Sequence, residues 1–323
     1  MAYDTQLALV VPCNNEREML PTTIEQLTAT LLRLIDKGSI GNGRIIFVDD
    51  GSTDDSWKII KQNAEINHLV TGIKLSHNVG HQNALWAGLE CAVAMQVDAA
   101  ISIDADLQDD ISVIDEMLDA FHRGNDVVFG VRDNRQSDSF LKHFTAHSFY
   151  KFMASIGGEI IYNHGDFRLM SLRSMRALMQ FPERNMFVRG MVKSIGFPYT
   201  CVYYTRKERQ AGKSKYPLTK MLNFAFVGIT SFSLKPLRFI TFLGLAMLVV
   251  STILIIYGLY RHITNSTIEG WTSLIISLWF IGGAILTCLG IIGEYIGRIY
   301  SEVKHRPRYF IEDQTQNTDS YTK

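Results

Sequence analysis

Residues 101 to 110 read ISIDADLQDD: two isoleucines around a serine, then Asp104, Asp106, Asp109 and Asp110 within seven positions. Ile101 and Ile103 suit a buried strand, whereas a strand end crowded with carboxylates repels itself unless a cation or ligand balances the charge. Asp104 and Asp106 are two apart on an extended segment and so point to the same side. An Asp-x-Asp pair in that place suits a hard divalent ion. Mg2+ takes one or two protein carboxylates and leaves the rest of its octahedron to water and substrate phosphates. The expected ligand is therefore a metal-bound diphosphate. Solvated acidic loops also contain Asp-x-Asp, so the pair alone does not decide the chemistry.

The elements that must position this loop are legible upstream. Strand patterns at LALVVPC, RIIFVDD, TGIKLS, AAISIDAD and DVVFGVR alternate with helical patterns, the first of which ends at Gly38. In the helix ISVIDEMLDAFHRG, Asp109 or Asp110 is the expected N-cap and Gly124 the stop. Nearly continuous apolar strands alternating with helices predict an α/β fold, an open and mostly parallel sheet with helices on both faces. Such sheets bind ligands beyond the carboxyl ends of their strands. CNNE, DDGS, HNVGHQ and DADLQDD follow the first four strands in turn, which points to one shared site. No GxGxxG follows the first strand and no GxxxxGK[ST] occurs, so dinucleotide and P-loop chemistries are not indicated.

The chain has 32 basic and 32 acidic residues, so no global field draws it to nucleic acid. Cys13, Cys91, Cys201 and Cys288 show no CxxC spacing, which suits a reducing compartment. LALVV is short and runs into Pro12, as a strand does and a signal peptide does not. The last third is different. Residues 239–260 and 271–292 carry no charge, and each is long enough to cross a hydrocarbon core of roughly 30 Å. The loop between them has one Lys/Arg. Residues 205–238 before them carry eight, and Arg298, Lys304, Arg306 and Arg308 follow. The positive-inside rule then places both termini in the cytoplasm. The expected organisation is a catalytic domain over 1–216, an interfacial segment over 217–237 and a hairpin over 238–300, with spans near 239–260 and 271–293. A cytoplasmic tail with a disordered end occupies 301–323. Glu294 falls at the cytoplasmic end of the second span, one turn from Arg298. GEYIG at 293–297 matches the close-packing GxxxG pattern, a common one, so a homo-oligomer is only suggested.

VVPCNNE, VDDGSTDDS, DADLQDD, HGDFRLM and GKSKY, in that order and spacing, resemble the family 2 glycosyltransferases of the GT-A fold. The similarity is closest to the polyprenyl-phosphate branch, which includes dolichol-phosphate mannose synthase and the bactoprenol glucosyltransferases, and it runs from residue 6 to about 308. Two departures, PCNNE and LQDDIS, fall where many members carry an aromatic residue and prolines. The resemblance implies a membrane-bound, inverting, metal-dependent hexosyltransferase of the bacterial plasma membrane that uses Mg2+ or Mn2+. Its partners would be a nucleotide sugar, a polyprenyl phosphate and the bilayer. Pro12, Asn15, Glu16, Asp49, Asp50 and Asp104 would lie along the donor, with Asp106 and Gln108 on the metal and Asp104 on the ribose or as a further metal contact. Asp104, Asp106 and Asp166 would be catalytic. Asp166 and Arg168 would line the sugar and acceptor side, Arg132 and Lys142 would join Arg168 on the acceptor phosphate, and Lys213, Ser214 and Lys215 would close over the phosphates.

A sugar hydroxyl nucleophile would need a general base, but a phosphate monoester has a second pKa near 6 and is already largely dianionic at pH 7. Positioning cations then matter more than a base. UDP-glucose is the first choice of donor, with UDP-N-acetylglucosamine, UDP-galactose and GDP-mannose behind it. A processive polysaccharide synthase would carry QxxRW, and no tryptophan here follows an arginine. A non-catalytic membrane scaffold is the other alternative. His77/His81 and His143/His147 are i,i+4 pairs without a third ligand, which suits surface or phosphate-adjacent roles better than zinc.

Overall fold

Along the first strand every side chain after Gln6 is buried, and the two sides of the strand feed two separate cores. Leu7, Leu9 and Val11 face one way and Ala8 and Val10 the other, as the period of two requires. A strand covered on both faces has no room for polar alternation, which is why LALVV reads as an unbroken apolar run.

A computed structural model of the chain describes residues 3–133, 164–183, 188–205 and 271–315, with six single helical positions between 242 and 256. The strands are β1 (Gln6–Cys13), β2 (Asn42–Asp49), β3 (Val70–Leu75), β4 (Ala99–Ser102), β5 (Val127–Arg132), β6 (His164–Ser171), β7 (Tyr199–Tyr204) and β8 (Ile311–Gln314). They form one sheet in the order β7-β5-β6-β4-β1-β2-β3-β8. β6 and β8 run antiparallel to their neighbours, and the remaining pairings are parallel. Helices α1 (Leu20–Asp36), α2 (Ser56–Ile66) and α4 (Ile114–His122) pack on one face through Leu27, Ile60 and Met117. On the other face lie α3 (His81–Ala94), α5 (Leu172–Met179) and α6 (Val188–Ser194), packed through Leu85, Met175 and Met191.

Register brings the functional ends level. Cys13 pairs with Asp49, Asp49 with Lys74, and Val10 with Ser102, so the loops after β1, β2, β3 and β4 leave the sheet together. The turn after β2 depends on Gly51, at φ +61. A Cβ there would lie 2.4 Å from the His77 carbonyl carbon. Only glycine takes that backbone angle freely and lets the loop after β3 come so close.

By its contacts the chain divides into two compact units, residues 1–154, 159–217 and 306–323 against residues 155–158 and 218–305. In the second, helix α7 (Trp271–Val303) is 33 residues long. Its stretch Phe280–Val303, of mean hydropathy 1.6 and with nothing buried in its apolar window, is long and apolar enough to cross a membrane. The expected span at 239–260 and the segment 217–237 fall outside the described residues, apart from those single helical positions. Within the expected tail, residues 311–314 form strand β8, antiparallel to β3. The Trp57 indole and Lys61 both donate to Asp313, at 3.1 and 2.9 Å. Arg308 stacks 4.2 Å from the Trp86 ring and donates to the carbonyls of Phe181 and Glu183.

Candidate active site

The loops after β1 and β2 are laced to each other. Asn15, at φ +53, accepts with its Oδ1 from the Thr53 and Asp54 amides, and its own amide donates to Ser52 Oγ. Asparagine tolerates this left-handed backbone better than most residues. The Glu16 amide donates to Ser56 Oγ at 3.0 Å, and Asn14 Nδ2 donates to the Asp50 carbonyl at 2.7 Å. Pro12 is buried within β1 opposite Val48. Asp49 is wholly buried, and burial raises its pKa although Ser52 opposes the shift. Neither of its oxygens reaches hydrogen-bond geometry with a donor among the described residues. Asp50 accepts from the Val79 and Gly80 amides, one on each oxygen, at 2.7 and 3.0 Å. It pins the start of α3, so in this state its carboxylate is committed to the protein's own backbone.

The acidic loop follows β4. Asp104, Asp106 and Gln108 are partly exposed while Ala105, Leu107 and Asp109 are buried, so three hard oxygen donors share the open side. Leu107 holds φ +50, an uncommon angle for leucine. Asp106 Oδ1 accepts from the Gln108 amide at 3.2 Å. The Asp104 pKa is raised, first by burial and then by the charges of Asp109, Asp166 and Asp106, against the pull of His81. Two acidic side chains and an amide carbonyl crowded on one edge fit a hard divalent cation, because a cation relieves the repulsion that now raises Asp104. Asp104 and Asp106 of the Asp-x-Asp pair are both on the partly exposed side of the loop. Of the two possible caps, Asp110 accepts from Ser112 and starts the following turn of 3-10 helix, while Asp109 turns inward.

Beside the loop, one carboxylate collects the site's cations. Asp166, on β6, is 7% exposed. Its oxygens accept from Arg189 Nε and Nη2 at 3.1 and 2.9 Å, from Arg168 Nη2 at 3.2 Å and from Gln82 Nε2 at 3.3 Å. His81 Nε2 lies 3.3 Å from Asp166 and 3.7 Å from Asp104. Burial alone would raise the Asp166 pKa, but Arg189, His81 and Arg168 hold it well below the usual carboxylate range. The His81 imidazole, lowered by burial but raised more by Asp166 and Asp104, is pushed up to about 9 and is a cation at neutral pH. Arg168, which the resemblance puts on the acceptor phosphate, turns its guanidinium to Asp166. It is 1% exposed, its guanidinium lies on Asp166, and burial lowers its pKa to about 10. Its charge helps to keep Asp166 ionised.

Arg132, at the end of β5, is 21% exposed in its side chain and bonds to Asp109 and Tyr204. Lys142, Lys213, Ser214 and Lys215 lie outside the described residues. His81, Gln82, Arg189 and Tyr204 join the site beyond the residues that the motifs named. A signal existed only for His81 and Gln82, which sit in the polar cluster HNVGHQ after β3. Tyr204 gains its partners through strand register, and Arg189 reaches Asp166 from helix α6.

The chain was compared with known proteins. Residues 8–179 match Glycosyl transferase family 2, and residues 235–299 match the GtrB C-terminal hairpin. The chain is 51% identical over 312 residues to YkoT, an uncharacterized glycosyltransferase of Bacillus subtilis (strain 168), covering 96% of this chain and 92% of that one. It is 39% identical over 316 residues to the bactoprenol glucosyl transferase of Shigella phage SfV, covering 96% and 99%. A prophage bactoprenol glucosyl transferase homolog of Escherichia coli (strain K12) is 38% identical over 312 residues, covering 95% and 98%. Matched by that family's model over residues 8–179 and similar over nearly its whole length to these relatives, the chain belongs to glycosyl transferase family 2.

Proposed function

We propose that the protein transfers glucose from UDP-glucose to a polyprenyl phosphate at a membrane surface, inverting the anomeric carbon. The observation that carries this reading is the charge layout. An acidic loop edge suited to a metal diphosphate adjoins His81, which lies 3.7 Å from Asp104, while Asp166 is too heavily bonded and too acidic to serve as a base. Such a site suits an acceptor that arrives already ionised. Near-full-length similarity to proteins named bactoprenol glucosyl transferase supports the acceptor class and the sugar.

In this reading Pro12, Asn15 and Glu16 shape the wall along the nucleotide, and Asp49 and Asp50 fix the loops at its base and ribose end. Asp106 and Gln108 would hold Mg2+ or Mn2+, with Asp104 on the ribose or beside the metal. A bound divalent ion stabilises the charge that develops on the departing diphosphate. Arg132 holds the acceptor phosphate, helped by Lys142, and Lys213, Ser214 and Lys215 close over the donor. Asp166, fixed by Arg168, Arg189, His81 and Gln82, organises the cations between donor and acceptor. Direct attack by the lipid phosphate oxygen displaces UDP and inverts the sugar linkage. Membranes containing the protein, given undecaprenyl phosphate and a panel of labelled nucleotide sugars, should form labelled lipid from UDP-glucose. Labelling from UDP-N-acetylglucosamine, UDP-galactose or GDP-mannose instead would reassign the donor. No labelling from any would leave the scaffold reading.

The hairpin would place both termini in the cytoplasm, because the charge excess lies on the two flanks and not in the 261–270 loop. An impermeant thiol reagent applied to intact cells should label a cysteine placed at 263–268 and spare one placed at Lys304. Labelling at Lys304 would mean the span count is wrong.

A further inference from the structure

Asp109 is a buried carboxylate with no part in the metal edge or the Asp166 cluster. It is 2% exposed, and its Oδ2 has no partner among the described residues. Burying an ionised carboxylate is costly unless a partner charge and hydrogen bonds compensate. What compensates it here comes from the ends of β5 and β7. Arg132 Nη2 donates to Asp109 Oδ1 at 3.2 Å, and the Tyr204 hydroxyl donates to the same oxygen. That hydroxyl also accepts from Arg132 Nε at 3.2 Å, closing a three-membered ring of bonds.

The ring is set by strand register. Arg132 and Tyr204 are direct partners at the ends of the parallel pair β5 and β7, and Asp109 reaches them from the loop after β4. A third contact closes the cradle. A Cβ on Gly165 would lie 3.1 Å from Arg132 Nη2, so the guanidinium rests against β6 one residue before Asp166. An arginine left to itself samples many rotamers and loses that freedom when it binds a ligand. Here two bonds and one close wall have fixed the fork beforehand, while its Nη1 makes no bond among the described residues.

We propose that Asp109 and Tyr204 are positioning residues that hold the Arg132 guanidinium ready for the acceptor's phosphate, tying it to the loop that carries Asp106 and Gln108. The proposal rests on the reading of Arg132 as the acceptor-phosphate cation. Burial and the neighbouring Asp109 charge raise the Tyr204 pKa, so the hydroxyl keeps the proton that the ring needs. Arg132, which burial would lower, is raised by Asp109 and Tyr204 and stays charged.

The test uses the full-length protein in membranes, with undecaprenyl phosphate and UDP-glucose varied separately. Tyr204→Phe keeps the ring's bulk and removes both hydroxyl bonds. It should raise the KM for the lipid phosphate by about tenfold, the scale of one hydrogen bond to a charged group, with the UDP-glucose KM unchanged. Asp109→Asn should act in the same direction. In an Arg132→Lys background, which keeps the charge but lacks Nε, Tyr204→Phe should raise the lipid-phosphate KM much less than it does in the parent, because the Nε bond is already gone and only the hydroxyl's bond to Asp109 is left to lose. An undiminished Tyr204→Phe effect in that background would overturn the proposal. So would a loss confined to the thermal midpoint, or a shift in the UDP-glucose KM alone. Arg132→Ala separates the two levels. If it leaves the lipid-phosphate KM unchanged, the acceptor reading of Arg132 fails and the positioning proposal falls with it. If it raises that KM while Tyr204→Phe and Asp109→Asn do not, only the positioning proposal fails.

Discussion

Replacing Asp106 with asparagine is expected to lower glucose transfer by about a thousandfold or more, since metal stabilisation of the departing diphosphate is worth several kcal/mol. Asparagine keeps the shape, and its Oδ1 can still accept from the Gln108 amide as Asp106 does now. What it loses is the negative charge that a hard cation needs. The same change thins the repulsion around Asp104, to which Asp106 contributes. The unfolding midpoint without ligand should therefore stay level or rise. UDP with Mg2+ or Mn2+ should stabilise the parent protein by binding its folded state and leave the variant nearly unmoved. A destabilised variant with near-normal turnover would show that the carboxylate is structural. Calorimetry with and without nucleotide, beside a turnover assay on the same samples, separates the outcomes.

Asp166→Asn is expected to act on stability and activity together. Arg168 is fully enclosed, and Asp166 is its charge partner at 3.2 Å. Removing one partner of a buried pair leaves the other charge uncompensated, at a cost of about 3–5 kcal/mol. That is a large part of the roughly 5–15 kcal/mol that holds a domain folded. Arg189 and His81 would lose the same anchor, and with it the spacing of cations beside Asp104. Arg189→Met should cost less, because that side chain is 30% exposed and water can solvate what remains. Equal midpoints for Asp166→Asn and the parent would contradict this ordering.

Much of the sheet was legible because its strands are buried on both faces, which leaves apolar runs too continuous for a surface helix. The strand-end clusters were legible for a related reason: CNNE, DDGS and DADLQDD are polar where the core gives no use for polarity. β8 was not legible. IEDQ lacks strand-like alternation, and its pairing depends on β3, more than 230 residues earlier in the chain, with Trp57, Lys61 and Lys74 supplying partners for its acids. β6 appeared only as the motif HGDFRLM, and nothing local shows that it inserts antiparallel between β4 and β5. That insertion decides the site, because it sets Asp166 beside His81 and puts Arg168 on Asp166. Asp109 and Asp110 were both open as the helix cap because a buried carboxylate and a capping one look alike in sequence, and only the bonds of Asp109 to Arg132 and Tyr204 distinguish them.

The central claim is that the acceptor is a phosphate needing cations and no base. It is tested most directly by offering labelled UDP-glucose, with Mg2+, to the membrane-embedded protein together with either undecaprenyl phosphate or undecaprenol. The expected result is label in an acid-labile lipid with the phosphate alone, absent from both the alcohol and a chelator-treated control. Equal labelling of the alcohol, or full labelling in excess chelator, would contradict it.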